Sequence, residues 1–223
     1  MPAASASRTA RPSTGRPFTV RSVQLARALM AAVAALMITF SPDHSAAVGL
    51  SVFGGFAIVT SLVLIVASIV VHRAGQRWPA VLMGAITLVF GMAASIPAWR
   101  TDALFFVLVI AWAALTGLVE LIWGIRTRGQ EGSRDAITIG ALGLLLALLL
   151  LVIPVGFVQN YAVEGRAFSL TGIIIGVGLF GGYAAIVAVF LGIAGLAPAP
   201  KGAEANGETT AGADRLADHG GEA

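Results

Sequence analysis

Six long apolar runs separated by short polar breaks account for most of the chain: Val23–Phe40, Ala46–Val71, Trp78–Pro97, Ala103–Ile125, Ala136–Pro154 and Phe168–Leu196. Each approaches or exceeds the roughly 20 residues with which a helix crosses a hydrocarbon core. The sixth is the longest and is expected to tilt or fray. Pro42, Pro97 and Pro154 each fall at the end of an odd-numbered run, 55 and 57 residues apart. A helix end loses an amide donor there without stranding a carbonyl. The spacing predicts an internal repeat: three transmembrane helical hairpins, 23–71, 78–125 and 136–196, forming an all-α, integral-membrane six-helix bundle over residues 23–196.

The flanks differ in kind. Residues 1–22 are rich in Ser, Ala, Pro, Thr and Arg, and residues 197–223 carry a net charge of −3 with few large apolar side chains. Neither can bury a core, so both are expected to be disordered, the first a basic tail and the second an acidic one, inert or regulatory. Val23–Phe40 followed by Ser45-Ala46-Ala47 also has the outline of a signal peptide. The long basic region before it, and the span that begins at the cleavage point, favour a first membrane span instead.

Composition narrows the class further. Charged residues make up 11% of the 223, against about 25% in an ordinary soluble domain, while 57% are hydrophobic. The absence of cysteine excludes disulfides, thiolate metal sites and thiol nucleophiles. A formal charge of +3 could suggest nucleic acid, but the arginines gather at the ends of the apolar runs. Arg8, Arg11, Arg16, Arg21, Arg27, Arg73, Arg77, Arg126, Arg128 and Arg134 lie toward one face, ten against Arg100 and Arg166 on the other. That bias puts the first face and both termini in the cytoplasm. Trp78 and Trp123 at one boundary and Trp99 at the other fit an interfacial belt. The lipid bilayer is therefore the expected partner, with a second copy or another membrane protein possible and nucleic acid excluded. Arginine occurs thirteen times and lysine once, a bias of GC-rich bacterial genomes.

Small residues recur at helical spacing. Gly54 belongs to such a face in the second run, Gly84 and Gly91 in the third, Gly117 and Gly124 in the fourth, and Gly172, Gly176 and Gly182 in the sixth. In lipid, helices associate by close backbone approach, so these positions are expected to be packing faces. Gly176-Val177-Gly178-Leu179-Phe180-Gly181 matches a dinucleotide fingerprint in letters only, because it lies inside an apolar run without the required strand. No HExxH, GxSxG, P-loop or metal-ligand spacing occurs. The reading is accordingly of a non-enzymatic protein with no cofactor, no metal and no catalytic residues.

One residue stands out against this background. Glu120 is the acidic residue inside an apolar run, on a face with Ala113, Gly117 and Gly124. A carboxylate at membrane depth is expensive and calls for a partner. Arg27, a comparable distance into the first run from the same side, is the expected one, with His72, Arg73 and Arg77 as alternatives. Glu120 has three readings: a structural acid, paired or protonated, that fixes helix register; a proton- or substrate-binding group; or a side chain that snorkels to water. On the other face, Asp43, His44, Asp102 and Glu164 occupy the three outer turns. Side chains of these types take up protons in acid, which makes them candidates for a pH-responsive outer surface.

Arg77-Trp78 with Gly84 and Gly91, then Pro97 and Thr101, then Gly117-Leu118-Val119-Glu120 and the basic close Arg126-Thr127-Arg128, resembles the HdeD-like family of bacterial acid-resistance membrane proteins. The first hairpin echoes this pattern more loosely with Arg27, Pro42 and Arg73. The third departs from it, with a longer outer loop, no basic close and no counterpart of Glu120. The resemblance covers about residues 22–196. It implies a multi-pass protein of the bacterial inner membrane linked to acid or general stress, and carries no catalytic residues with it. With few polar groups at depth, the reading is of a structural or interaction protein contributing to acid or envelope stress tolerance. The alternative is a small transporter or channel component that uses Glu120.

Overall fold

The structure, a computed structural model, describes residues 20–70, 77–130, 132–163 and 166–197. Among these residues six α-helices follow one another: α1 (Val20–Thr39), α2 (Ala46–Val70), α3 (Trp78–Ala94), α4 (Asp102–Arg126), α5 (Ser133–Val152) and α6 (Gly172–Leu196). Five of them, all but α3, are long and apolar enough to cross a membrane; α3 has 17 residues. Local chemistry sets several of the ends. Thr101 Oγ1 accepts from the Leu104 amide at 3.2 Å at the start of α4. Asp102 in its first turn and Arg126 in its last complement the helix dipole. Pro79 sits in the first turn of α3, where its missing amide costs nothing.

The helices close into a ring in chain order, with α6 returning to α1. The even-numbered helices also meet one another across the middle. Aromatic side chains fill that centre. Phe53 of α2 lies edge-on to Trp112 of α4 at 5.2 Å and to Phe180 of α6 at 5.5 Å. Phe56 makes the same two contacts at 5.8 and 5.9 Å. The periphery is the reverse of a soluble protein's. Leu36 of α1, Leu62 of α2, Val89 of α3, Val107 of α4, Leu148 of α5 and Val189 of α6 are all more than half exposed. A continuous apolar exterior of this kind belongs against lipid rather than water. The described helices are those of a multi-pass membrane protein.

The antiparallel partners within each expected hairpin are neighbours, but the closest pairs lie elsewhere: α2 with α3, α4 with α5, and α1 with α6. Glycine explains the choice. A Cβ on Gly91 would lie 2.9 Å from that of Ala57 and 3.0 Å from the Ile58 amide nitrogen. One on Gly117 would lie 2.9 Å from the Gly140 carbonyl, and one on Gly124 2.8 Å from the Ile137 nitrogen. Gly54 and Gly84 meet α3 and α2 respectively, and Gly176 meets Phe106 of α4. Gly172 abuts the Pro154 carbonyl. Gly182 is a correction: it is exposed and, among the described residues, nothing approaches it within 4 Å, so it is no packing contact within this bundle.

The fold is not purely α. The apolar run expected to begin a helix at Phe168 starts instead as a strand, and α6 begins only at Gly172. Strands β1 (Val158–Val163) and β2 (Arg166–Thr171) form an antiparallel hairpin with Tyr161 opposite Phe168. Those two rings stack with centroids 5.7 Å apart, and β-branched and aromatic residues favour the extended form. Residues 1–19 and 198–223 of the expected tails, and Glu164, lie outside the described residues; Val20, Arg21 and Ser22, expected in the first tail, already belong to α1.

Candidate functional site

The ends of the bundle differ, and the difference defines the site. One end, where the α2–α3 and α4–α5 connections lie, carries Arg21, Arg77, Arg126, Arg128 and Arg134. The other carries the proline turns and the strand hairpin.

Arg27 enters from the third turn of α1 and Glu120 from the last two turns of α4, each near the basic end. Arg27 Nη2 donates to Glu120 Oε1 at 2.6 Å, a charge-assisted bond between side chains 19% and 9% exposed. His72 and Arg73 lie outside the described residues. Arg77 turns away and donates to the Ile69 carbonyl at 3.4 Å.

A vestibule of about 260 Å³ runs from the α4–α5 connection down to this pair. Its mouth holds Gln24 of α1, whose Nε2 donates to Asp135 Oδ2 of α5 at 2.7 Å. Trp123 lines the vestibule with Thr127 and Gln130, so its ring serves a cavity rather than only the expected belt. Beyond the pair lies a much smaller chamber of about 20 Å³, which shares Arg27, Leu64, Met83 and Glu120 with the vestibule. Thr60, Thr87, Thr116 and Tyr183 supply hydroxyls to its wall. Trp112 Nε1 donates to Thr87 Oγ1 at 3.2 Å, and Thr116 Oγ1 donates to the Trp112 carbonyl at 2.7 Å. Thr60 Oγ1 is buried without a hydrogen-bond partner among the described residues. The chamber has the volume of a single water. Past it the aromatic centre closes the bundle.

The remaining sequence candidates are scattered. Asp43 Oδ1 accepts from the Ser45 amide and its Oδ2 from the Ser45 hydroxyl, both at 2.9 Å, so this carboxylate shapes its own turn. Asp43 and His44 border a shallow cleft against Thr171 and Ile173; Asp102 is not among its walls. The outer titratable residues that are described do not form one cluster. Gln24, Asp135, Tyr183 and the three threonines were not singled out as site residues by sequence. A hydroxyl four residues before Glu120, at Thr116, was the available signal.

Fold and site together define a helical membrane protein with a polar cavity entered from one end. Comparisons with protein-family models, curated proteins and solved structures found no match.

Proposed function

We propose that the chain is a six-span protein of the bacterial inner membrane with both termini cytoplasmic, contributing to acid or envelope-stress tolerance as a non-enzymatic structural or interaction protein. The sixth span is α3. Its 17 residues extend about 25 Å at 1.5 Å per residue, and Val81, Val89 and Met92 face outward as they do on a lipid-facing helix. The arginine-rich end supports the cytoplasmic assignment.

The observation that carries the structural reading is the aromatic centre. Rings from α2, α4 and α6 interlock on the far side of Glu120, and the carboxylate is already neutralised by Arg27. A charge pair held against a packed wall fixes helix register more readily than it passes an ion. The stress role rests on the resemblance of the second hairpin to HdeD-like proteins. One observation favours the second reading, a transporter or channel component: the vestibule reaches Glu120 from the basic end.

Survival of a deletion strain at low external pH tests both, with wild type and Glu120→Gln supplied in trans and their membrane levels measured. Rescue by both proteins at equal level is the expected result. Rescue by wild type alone at equal level makes Glu120 a working group and overturns the structural reading. Unchanged acid survival of the deletion strain removes the stress role.

A further inference from the structure

Beside the polar vestibule runs a second cavity of a different character. It lies on the lipid-facing side between α1 and α2, has a volume of about 250 Å³, and is walled by Val59, Leu62, Val63, Val66 and Val70 of α2 against Ala26 of α1. Val23 and Ala67 line both cavities, so the apolar groove and the polar vestibule meet at one seam. From Val59 to Val70 the groove is about 16 Å long at 1.5 Å per residue. A bilayer core is about 30 Å thick, so this is the depth of one leaflet.

A narrow aliphatic groove one leaflet deep, joined at its end to the polar vestibule, has the shape of a lipid whose head is drawn inward. The vestibule specifies the head. Arg27 brings a guanidinium with five donors, of which Nη2 rests on Glu120. Arginine suits phosphate oxygens better than any other side chain. Asp135 at the mouth brings a carboxylate, held by Gln24 through Oδ2, and the lining carries two acids against one base. That balance disfavours a purely anionic head and suits one with both charges.

We propose that this chain binds a phospholipid bearing phosphate and a primary ammonium, of the phosphatidylethanolamine type, with one acyl chain in the α1–α2 groove and the head in the vestibule between Arg27 and Asp135. The proposal rests on the reading that these helices cross a bilayer. It adds a ligand that neither reading of Glu120 requires.

Photolabelling tests it. The full chain is reconstituted into phosphatidylglycerol vesicles with a trace of lipid carrying a diazirine on its acyl chain, as phosphatidylethanolamine, phosphatidylglycerol or diacylglycerol. The ethanolamine lipid is expected to label Leu62 and Val66 about tenfold more than the other two, a difference worth about 1.4 kcal/mol. Ala26→Phe, which fills the groove from α1, is expected to abolish that labelling. Asp135→Asn leaves the groove intact and is expected to abolish the preference for ethanolamine while labelling persists. Equal labelling by all three lipids overturns the proposal, as does labelling that survives Ala26→Phe or a preference that survives Asp135→Asn. Recovery of each protein in carbonate-washed membranes is read from the same samples. Absent labelling of an inserted wild-type protein then counts against the site, and failure of the wild type to insert counts against the spans.

Discussion

Arg27 and Glu120 lie 93 residues apart in sequence and join the first helix to the fourth at a depth where either charge alone is costly. Removing one partner from a buried pair costs about 3–5 kcal/mol, whereas replacing both with apolar groups of similar size is often neutral. Arg27→Met and Glu120→Gln are each expected to lower the melting temperature in detergent while leaving insertion intact. The double variant Arg27→Met/Glu120→Met is expected to recover most of the loss. Equal melting of wild type and Glu120→Gln would show that the pair holds nothing together. Both residues were legible in the sequence, because charge is rare at that depth and each sits about 9–10 Å inward from the basic end at 1.5 Å per residue. The hydroxyls around them were not. Thr60, Thr87 and Thr116 sit in apolar runs where a threonine bonds its own helix carbonyl, as Thr116 does to Trp112. Spacing marks only Thr116, four residues before Glu120 on the same helix face; Thr60 and Thr87 carry no such mark.

Helix pairing follows glycine more closely than it follows chain connection. The proline turns make α1–α2, α3–α4 and α5–α6 adjacent, but the backbones come closest where glycine removes a side chain from the interface. Two helices that touch at Gly117 must separate to admit a larger residue, because the atoms facing it are the Gly140 carbonyl and the Leu144 amide. Overfilling such a contact costs about 1–3 kcal/mol. Gly117→Leu is expected to lower thermal stability in detergent, and Gly182→Leu, with open space around it, to leave it unchanged. A Gly117→Leu protein as stable as wild type would refute the packing role. Spacing identified the glycines as a set but not which face of α6 turns inward, since that helix is apolar all round. The strand hairpin was hidden for a related reason: Phe168-Ser-Leu-Thr runs into the apolar helix without a break, and only its partner Val158–Val163 makes it a strand.

At the scale of the molecule, the two ends are unequal. Toward the basic end a polar vestibule penetrates to Glu120; toward the other, Phe53, Phe56, Trp112 and Phe180 interlock across the three even-numbered helices. Reagents are therefore expected to reach the interior from one side only, and a chain without cysteine allows that to be measured residue by residue. Single cysteines replace Gln130 and Thr127 at the vestibule, Ala98 in the turn after α3, and Tyr161 on the strand hairpin. In intact cells a membrane-impermeant maleimide is expected to label positions 98 and 161, and to label 127 and 130 only after the membrane is opened. The same experiment counts the spans. Were α3 to lie along the surface rather than cross, the turn at Ala98 and the connection at Gln130 would fall on opposite sides from those six spans require. Labelling of Gln130→Cys in intact cells with Ala98→Cys protected would then reduce the membrane domain to five crossings and detach the arginine-rich end from the cytoplasm.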